Sequence, residues 1–256
     1  MSNAYEIVKK ARSEYRLRAK EVIETLFEDI IYLKGDRCFS DSKAVIGGIA
    51  SFEKKPVTFI GIQKGRGIDE GVRTNFGMPM PEGYRKAMRL MKQAEKFRRP
   101  IITFIDTPGA YPGIEAEERG QFQAIAACLE TMSSLSVPVI AIVIGEGGSG
   151  GALALSVANR IFMFQNAVYS ILSPEGFASI LWKNAALAPK AADIMRITAK
   201  DLHEFGIVDE IIEEEDKSVN LKQLSQSIKR ELDRMSLETG EQLKQERYIK
   251  FREIRG

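Results

Sequence analysis

Apolar residues recur at three- and four-residue spacing along the start of the chain, at Val8, Ala11, Tyr15, Ala19, Val22, Leu26 and Ile30. On a helix this spacing forms one stripe, so the pattern predicts a single long helix ended by Gly35. Such a stripe needs a surface to cover, either the chain's own core or a partner subunit. The pattern then shortens. Residues 44–52 and 56–63 read as strands around a polar turn at Lys54-Lys55. Gly47-Gly48 inside the first run marks a bulge or a close backbone approach. Residues 64–81 carry glycine and charge without periodicity, which predicts a long loop. A helix follows from Pro81-Glu82 to about residue 99, with proline in its first turn.

The middle of the chain alternates. Residues 101–106 form a short apolar strand-like run, 107–113 a Pro/Gly turn, and 114–135 a helix whose first turn carries Glu115, Glu117 and Glu118, where the helix dipole favours acids. A second buried run, 137–144, leads into a glycine turn at 145–151 and a helix at 152–158. Short strands are expected at 161–164 and 167–172. After Pro174 the chain is mainly helical, and 217–255 is a charged helical tail with a break at Gly240. Repeated strand–turn–helix units predict an α/β fold with parallel pairing and helices on the sheet faces.

Composition narrows this little. Across 256 residues, 44% are hydrophobic, enough for a sizeable core. Thirty-seven basic and 35 acidic residues leave a net charge of +2, which indicates neither nucleic acid nor membrane as partner. The early cluster Lys9, Lys10, Arg12, Arg16, Arg18 and Lys20 reads as a solvated helix face. Cys38 and Cys128 form no C-x-x-C pair, so no metal is expected in this chain, and a reducing cytosol fits. Residues 1–20 are charged and lack the apolar segment of a signal peptide.

The glycine segment Gly145-Glu146-Gly147-Gly148-Ser149-Gly150-Gly151 contains G-x-G-x-x-G, the outline of a dinucleotide fingerprint. Its context is wrong: no Asp or Glu stands between Glu146 and Glu175 to hold a ribose. Glycines where a helix begins leave amides unshielded, and such amides stabilise negative charge on a substrate oxygen. The plain alternative is tight strand–helix packing. The turn 107–113 sits at the end of the preceding strand, so both turns face one cavity if their strands are neighbours. Side-chain catalysts are scarce. His203, the one histidine, lies in a polar helical stretch and reads as a surface residue, and no G-x-S-x-G elbow occurs.

Segments 106–121 (DTPGAYPGIEAEERGQ), 144–155 (IGEGGSGGALAL) and 173–183 (SPEGFASILWK) resemble the signatures of the acetyl-CoA carboxylase carboxyltransferase α-subunit family. Gly35-Asp36-Arg37, 61–65 (GIQKG) and 81–97 add to the likeness, which runs from about residue 5 to 213. The resemblance implies a crotonase-like (ClpP/crotonase) superhelix of repeated ββα units with N- and C-terminal helical extensions. The divisions would be an N-terminal helix over 1–35, the carboxyltransferase domain over 36–213, and a helical tail over 214–256. It implies a cytoplasmic enzyme of fatty acid biosynthesis that moves the carboxyl group of carboxybiotin to acetyl-CoA, giving malonyl-CoA. Implied partners are a zinc-ribbon β subunit in an α2β2 assembly, the biotin carboxyl carrier protein, and biotin carboxylase in the larger complex. By the same likeness Gly150-Gly151, or else Gly147-Gly148, supply amides to the biotin ureido oxygen. Gly109, Ala110, Tyr111, Pro112 and Gly113 would line the biotin pocket. Two rival readings are a self-sufficient crotonase-type enzyme acting on a CoA ester and a non-catalytic scaffold for the β subunit.

Overall fold

The computed structural model describes residues 4–215 and 218–254. The chain opens with α1 (Ala4–Ala11) and α2 (Ala19–Leu26), followed directly by β1 (Glu28–Tyr32). The single helix expected over 1–35 is thus two helices and a strand. Its stripe covers the chain's own core: Val8, Ala11, Ala19 and Val22 are all buried. The link between α1 and α2 turns Arg16 and Arg18 inward, each only 7% exposed. Arg16 pairs with Glu214 at 3.0 Å and bonds the Ile144 carbonyl. These arginines are interior ion-pair partners, not the solvated face their sequence suggested.

β2 (Val45–Phe52) and β3 (Lys55–Ile62) form a hairpin. Its two turn residues, Glu53 and Lys54, have φ of 51° and 62°, the left-handed values a two-residue hairpin needs. Gly48 is a close approach: a Cβ there would overlap the Ile31 carbonyl, so its absence admits β1 to the sheet edge. The segment expected as a loop contains α3 (Gly67–Arg73) and a 3₁₀ turn at Asn75–Gly77. Next come α4 (Pro81–Lys96), β4 (Ile101–Thr107), α5 (Ile114–Glu118) and α6 (Gln121–Ser134). The helix expected over 114–135 is divided because Gly120 takes φ of 80°. β5 (Val139–Gly148) runs through most of the glycine segment, and α7 (Ser149–Leu153) is only a short helix. β6 (Arg160–Phe164), β7 (Val168–Ser170), α8 (Pro174–Trp182), α9 (Ala188–Met195), α10 (Ala199–Glu204) and β8 (Glu210–Ile212) follow.

Among the described residues, eight strands make one sheet in the order β1-β2-β3-β4-β5-β6-β8, with β7 also pairing with β5. Pairing is antiparallel through β3 and parallel from β3 onward. Helices cover both faces. Leu90 of α4 packs where a side chain at Gly47 would project, while Ala19 and Ile23 of α2 pack over Gly61. β4 is therefore buried along its whole length, which explains its mainly apolar run; its polar positions Thr103 and Asp106 are buried and bonded inside the protein.

The tail is helical as expected and breaks where α12 (Gly240–Glu253) starts after α11 (Leu221–Met235). The outermost residues of the expected 217–255 span lie outside the described residues. Leu224, Ile228, Met235 and Leu243 join the same core as the sheet. Arg247, 1% exposed, donates to the Met132, Leu135 and Val137 carbonyls and to Asn159 Oδ1. Burial pushes its guanidinium down to about 10. The core thus crosses both the 35 and the 213 divisions.

Candidate functional site

β4 and β5 are neighbouring parallel strands, with Thr107 opposite Gly147. The segments that follow them therefore meet at one sheet edge, as ligand sites in open parallel sheets require. The Thr107 hydroxyl accepts the Gly109 N–H at 3.0 Å and donates to the Gly109 carbonyl at 2.8 Å. Gly109 adopts φ of 146°, which L side chains rarely take. The Tyr111 N–H donates to the Pro79 carbonyl at 3.2 Å, and Gln121 Nε2 donates to the Pro79 and Tyr111 carbonyls, both at 2.9 Å. The Tyr111 ring lies against Gly113, filling the space a Cβ would take. Gly109, Ala110, Tyr111, Pro112 and Gly113 thus form one tethered turn. The Ala110 N–H makes no hydrogen bond to the described residues.

The glycines opposite differ in what they face. A Cβ at Gly145 would overlap the Asp106 carboxylate, and one at Gly148 the Pro108 carbonyl. At Gly147 it would lie 2.8 Å from the Tyr169 ring. At Gly151 it would lie 2.5 Å from Ala110 N and 2.8 Å from Tyr84 Oη. Tight packing, the plain reading, therefore accounts for these four. Gly150 is different: its nearest neighbour in that direction is Ile125 Cγ2 at 3.7 Å, so its Cβ side is open.

The amides also divide. Gly147 and Gly148 lie within the β5–β7 ladder, opposite Tyr169 and Ser170. Ser149, Gly150 and Gly151 open α7, precede its hydrogen-bond ladder, and have no side-chain cap. Ser149 makes the strand-to-helix reversal with φ of 53°, a strained value for a non-glycine residue. Gly150-Gly151 consequently offers freer donors than Gly147-Gly148, and the Ala110 N–H stands beside them across the gap. An apolar cleft of about 440 Å³ opens at Gly150, lined by Leu153, Tyr169, Ile171 and Phe251.

A charged layer supports the site, and the sequence reading missed it. Asp106 is fully buried and pairs with Arg18 at 3.1 Å and Lys64 at 3.2 Å. It also accepts the Glu146 N–H at 3.1 Å, fixing β5 at the start of the glycine segment. Glu146 joins Lys64 and Arg12, and Arg12 continues to Glu175 at 2.8 Å. The Arg12 hydrogen bond holds the Glu175 carboxyl down to about 2, with help from Tyr5 and against partial burial. Tyr84 Oη is buried beneath Gly151 without a hydrogen-bond partner among the described residues, and burial pushes its pKa above the usual phenol range. The available signal was Asp106 itself, an ionisable residue ending a run of apolar strand positions.

The remaining candidates lie elsewhere. His203 is exposed, with Nδ1 2.9 Å from the Val208 carbonyl. Glu115, Glu117 and Glu118 are exposed on α5. No group of three or more His, Cys, Asp or Glu among the described residues is arranged to hold a metal. Among the described residues no helix is long and apolar enough to cross a membrane. What this edge presents is a set of main-chain donors, suited to stabilising charge on a ligand oxygen.

Comparison with known proteins agrees in fold and sequence. The family described as acetyl co-enzyme A carboxylase carboxyltransferase-like matches residues 2–255. The acetyl-coenzyme A carboxylase carboxyl transferase subunit alpha of Streptococcus gordonii is 54% identical over 254 residues, covering 98% of this chain and 99% of that protein. The subunit of the same name from Clostridium botulinum is 56% identical over 261 residues, covering 99% and 95%. Among solved structures, transcarboxylase 12S with hydrolysed methylmalonyl-coenzyme A bound superposes with a TM-score of 0.73 at 18% identity. That match covers 92% of this chain but only 45% of the transcarboxylase chain, and it speaks for the fold alone.

Proposed function

Since the chain belongs to the acetyl-CoA carboxylase carboxyltransferase α-subunit family, we propose that its α7 amides form the charge-stabilising half of a carboxyl-transfer site. The fold is crotonase-like, and the chain is the α subunit of a biotin-dependent carboxyl transferase that converts acetyl-CoA to malonyl-CoA, the first committed step of fatty acid biosynthesis. An α subunit acts with a β subunit. The finer reading is an α2β2 assembly whose β subunit carries the zinc ribbon and holds most of acetyl-CoA. The biotin carboxyl carrier protein delivers biotin, biotin carboxylase recharges it, and the complex is cytoplasmic. Residues 36–213 form the carboxyltransferase unit, with 1–35 and 214–256 as extensions that share its core.

The residues present fit a biotin ureido oxygen. The Gly150 and Gly151 amides are uncapped, and Gly150 leaves open the space a Cβ would fill. Biotin, when bound, brings the carboxyl group and accepts a proton from the acetyl methyl. The chain's part is to hold and polarise. Gly150 and Gly151 donate to the ureido oxygen as negative charge grows on it, with Gly147 and Gly148 as the second choice of pair. Gly109, Ala110, Tyr111, Pro112 and Gly113 form the facing wall, and the Ala110 N–H is placed to add a donor. Asp106, Arg18, Lys64 and Glu146 keep the glycine segment fixed. A side-chain base is not needed in this scheme.

One observation carries this reading: uncapped amides open α7 beside an uncluttered Gly150. The test is malonyl-CoA decarboxylation with free biotin by the full chain reconstituted with a β subunit. Gly150→Val should lower turnover by about 100-fold, the loss typical of a disabled oxyanion donor. The chain alone should be inactive. If the variant keeps full turnover in a properly assembled complex, the chain is a scaffold. If the chain alone turns over a CoA ester without biotin, it is a self-sufficient crotonase-type enzyme.

A further inference from the structure

A cleft of about 540 Å³ lies between α2, the β1–β3 end of the sheet and α3, and Arg18 and Lys64 in its wall reach back to Asp106. Its size suits a nucleotide-sized ligand. Eight cationic side chains line it against four carboxylates. Each carboxylate is already engaged: Glu21 with Arg66 at 2.9 Å, Glu24 with Lys20 at 3.6 Å, Asp41 with Lys86, and Glu70 with the Arg66 N–H at 2.9 Å. Arg18 and Lys64 are held by buried Asp106. That leaves Lys34, Lys43 and Arg73, all exposed and none in an ion pair within the described residues. Lys34 stands close enough to Asp41 to help hold that carboxyl below its usual range, against burial and together with Lys86 and the Gly35 N–H.

The cleft is not only basic. Tyr32, Leu33, Val45 and Ile46 give it an apolar side. The Tyr32 ring is 37% exposed, braced edge-on by Phe59 at 5.5 Å, and its hydroxyl is tied to Glu24 at 3.3 Å. A fixed, partly open aromatic ring beside surplus cations is a pairing that takes a base on one side and phosphates on the other.

We propose that this cleft binds the diphosphate end of a nucleotide, with Lys34, Lys43 and Arg73 on the phosphates and Tyr32 under the base. Two sources share that chemistry: a free adenine nucleotide and the nucleotide end of coenzyme A. None of Lys34, Lys43, Arg73 and Tyr32 belongs to the glycine edge, so the titration below tests this cleft separately from that reading.

Isothermal titration of the full chain at low salt with ADP, coenzyme A and inorganic pyrophosphate tests this. The expected result is ADP or coenzyme A binding with Kd below about 1 mM. The triple variant Lys34→Glu, Lys43→Glu, Arg73→Glu, checked for an unchanged melting temperature, should weaken binding by at least about 10-fold. Tyr32→Leu should weaken ADP but not pyrophosphate. In the complex with a β subunit, a raised KM for acetyl-CoA at constant kcat in the triple variant identifies coenzyme A as the occupant; unchanged KM identifies a free nucleotide. Absence of heat with ADP and coenzyme A at several millimolar overturns the proposal, as does undiminished binding by the triple variant. Loss of carboxyl transfer in the wild-type complex would instead strike the reading of the glycine edge and leave the titration untouched.

Discussion

Gly151 and Gly150 are adjacent in sequence but opposite in their tolerance of a methyl group, and that contrast tests the site most directly. A Cβ at Gly151 would stand 2.5 Å from Ala110 N and 2.8 Å from both the Gly109 carbonyl carbon and Tyr84 Oη. Ordinary contacts of this kind need about 3.5 Å, so Gly151→Ala must part the two turns by about 1 Å. Two of these contacts are backbone, which cannot swing aside as a side chain would. Overpacking of this sort costs about 1–3 kcal/mol. For a chain of this size each kcal/mol lowers the melting temperature by about 2–4 °C. The same displacement carries the Ala110 and Gly151 amides apart, and a misplacement near 1 Å costs about 100-fold in rate. Gly150→Ala meets only Ile125 Cγ2 at 3.7 Å. It should leave the melting temperature unchanged or raise it slightly, since alanine favours a helix over glycine by about 1 kcal/mol. Thermal denaturation of both full-length variants, paired with malonyl-CoA decarboxylation in the reconstituted complex, reads both effects. If Gly151→Ala melts and turns over like the wild type, the two turns are not in the contact on which the site depends.

Asp106→Asn leaves Arg18 without its buried countercharge and Lys64 with Glu146 alone, and should cost about 3–5 kcal/mol, read as a lowered urea midpoint. A variant as stable as the wild type would remove Asp106 from its supporting role. Glu175, held down to about 2 by Arg12, contributes stability that is complete above the ordinary carboxyl range near 4.5 and fades as pH falls toward 2. The stability gap between wild type and Glu175→Gln should therefore be widest at pH 7, narrow as pH falls below about 4.5 and close only below about pH 2; a gap constant across that range would contradict the pairing. Deleting residues 1–18 removes Val8, Ala11, Arg16 and Arg18 from the interior, so the shortened chain should lose its cooperative melting transition as well as β-subunit binding. A truncated chain that melts like the wild type would mean these contacts are dispensable.

How far the sequence revealed this architecture depends on how local each cause was. β4 was legible because helices on both faces make most of its positions apolar, and a mainly apolar run of strand length between turn signals has few other uses. Gly47-Gly48 was legible as a close approach because only a missing side chain lets another strand come so near. The first 35 residues misled for a non-local reason. Their three-to-four spacing holds across the breaks, and nothing nearby shows that Arg16 finds Glu214 or that Arg18 finds Asp106, 198 and 88 positions away. Arg247 misled in the same way, as a charge in a charged helix whose acceptors are carbonyls more than 100 residues earlier. The glycine segment lies between these cases. Its composition pointed to a place where backbone matters, but only the neighbouring turn separates the glycines that permit packing from Gly150, which keeps space open. A main-chain site of this kind leaves a compositional trace and no side-chain motif, and the groups that hold it rigid are recognisable only once distant charges are brought together.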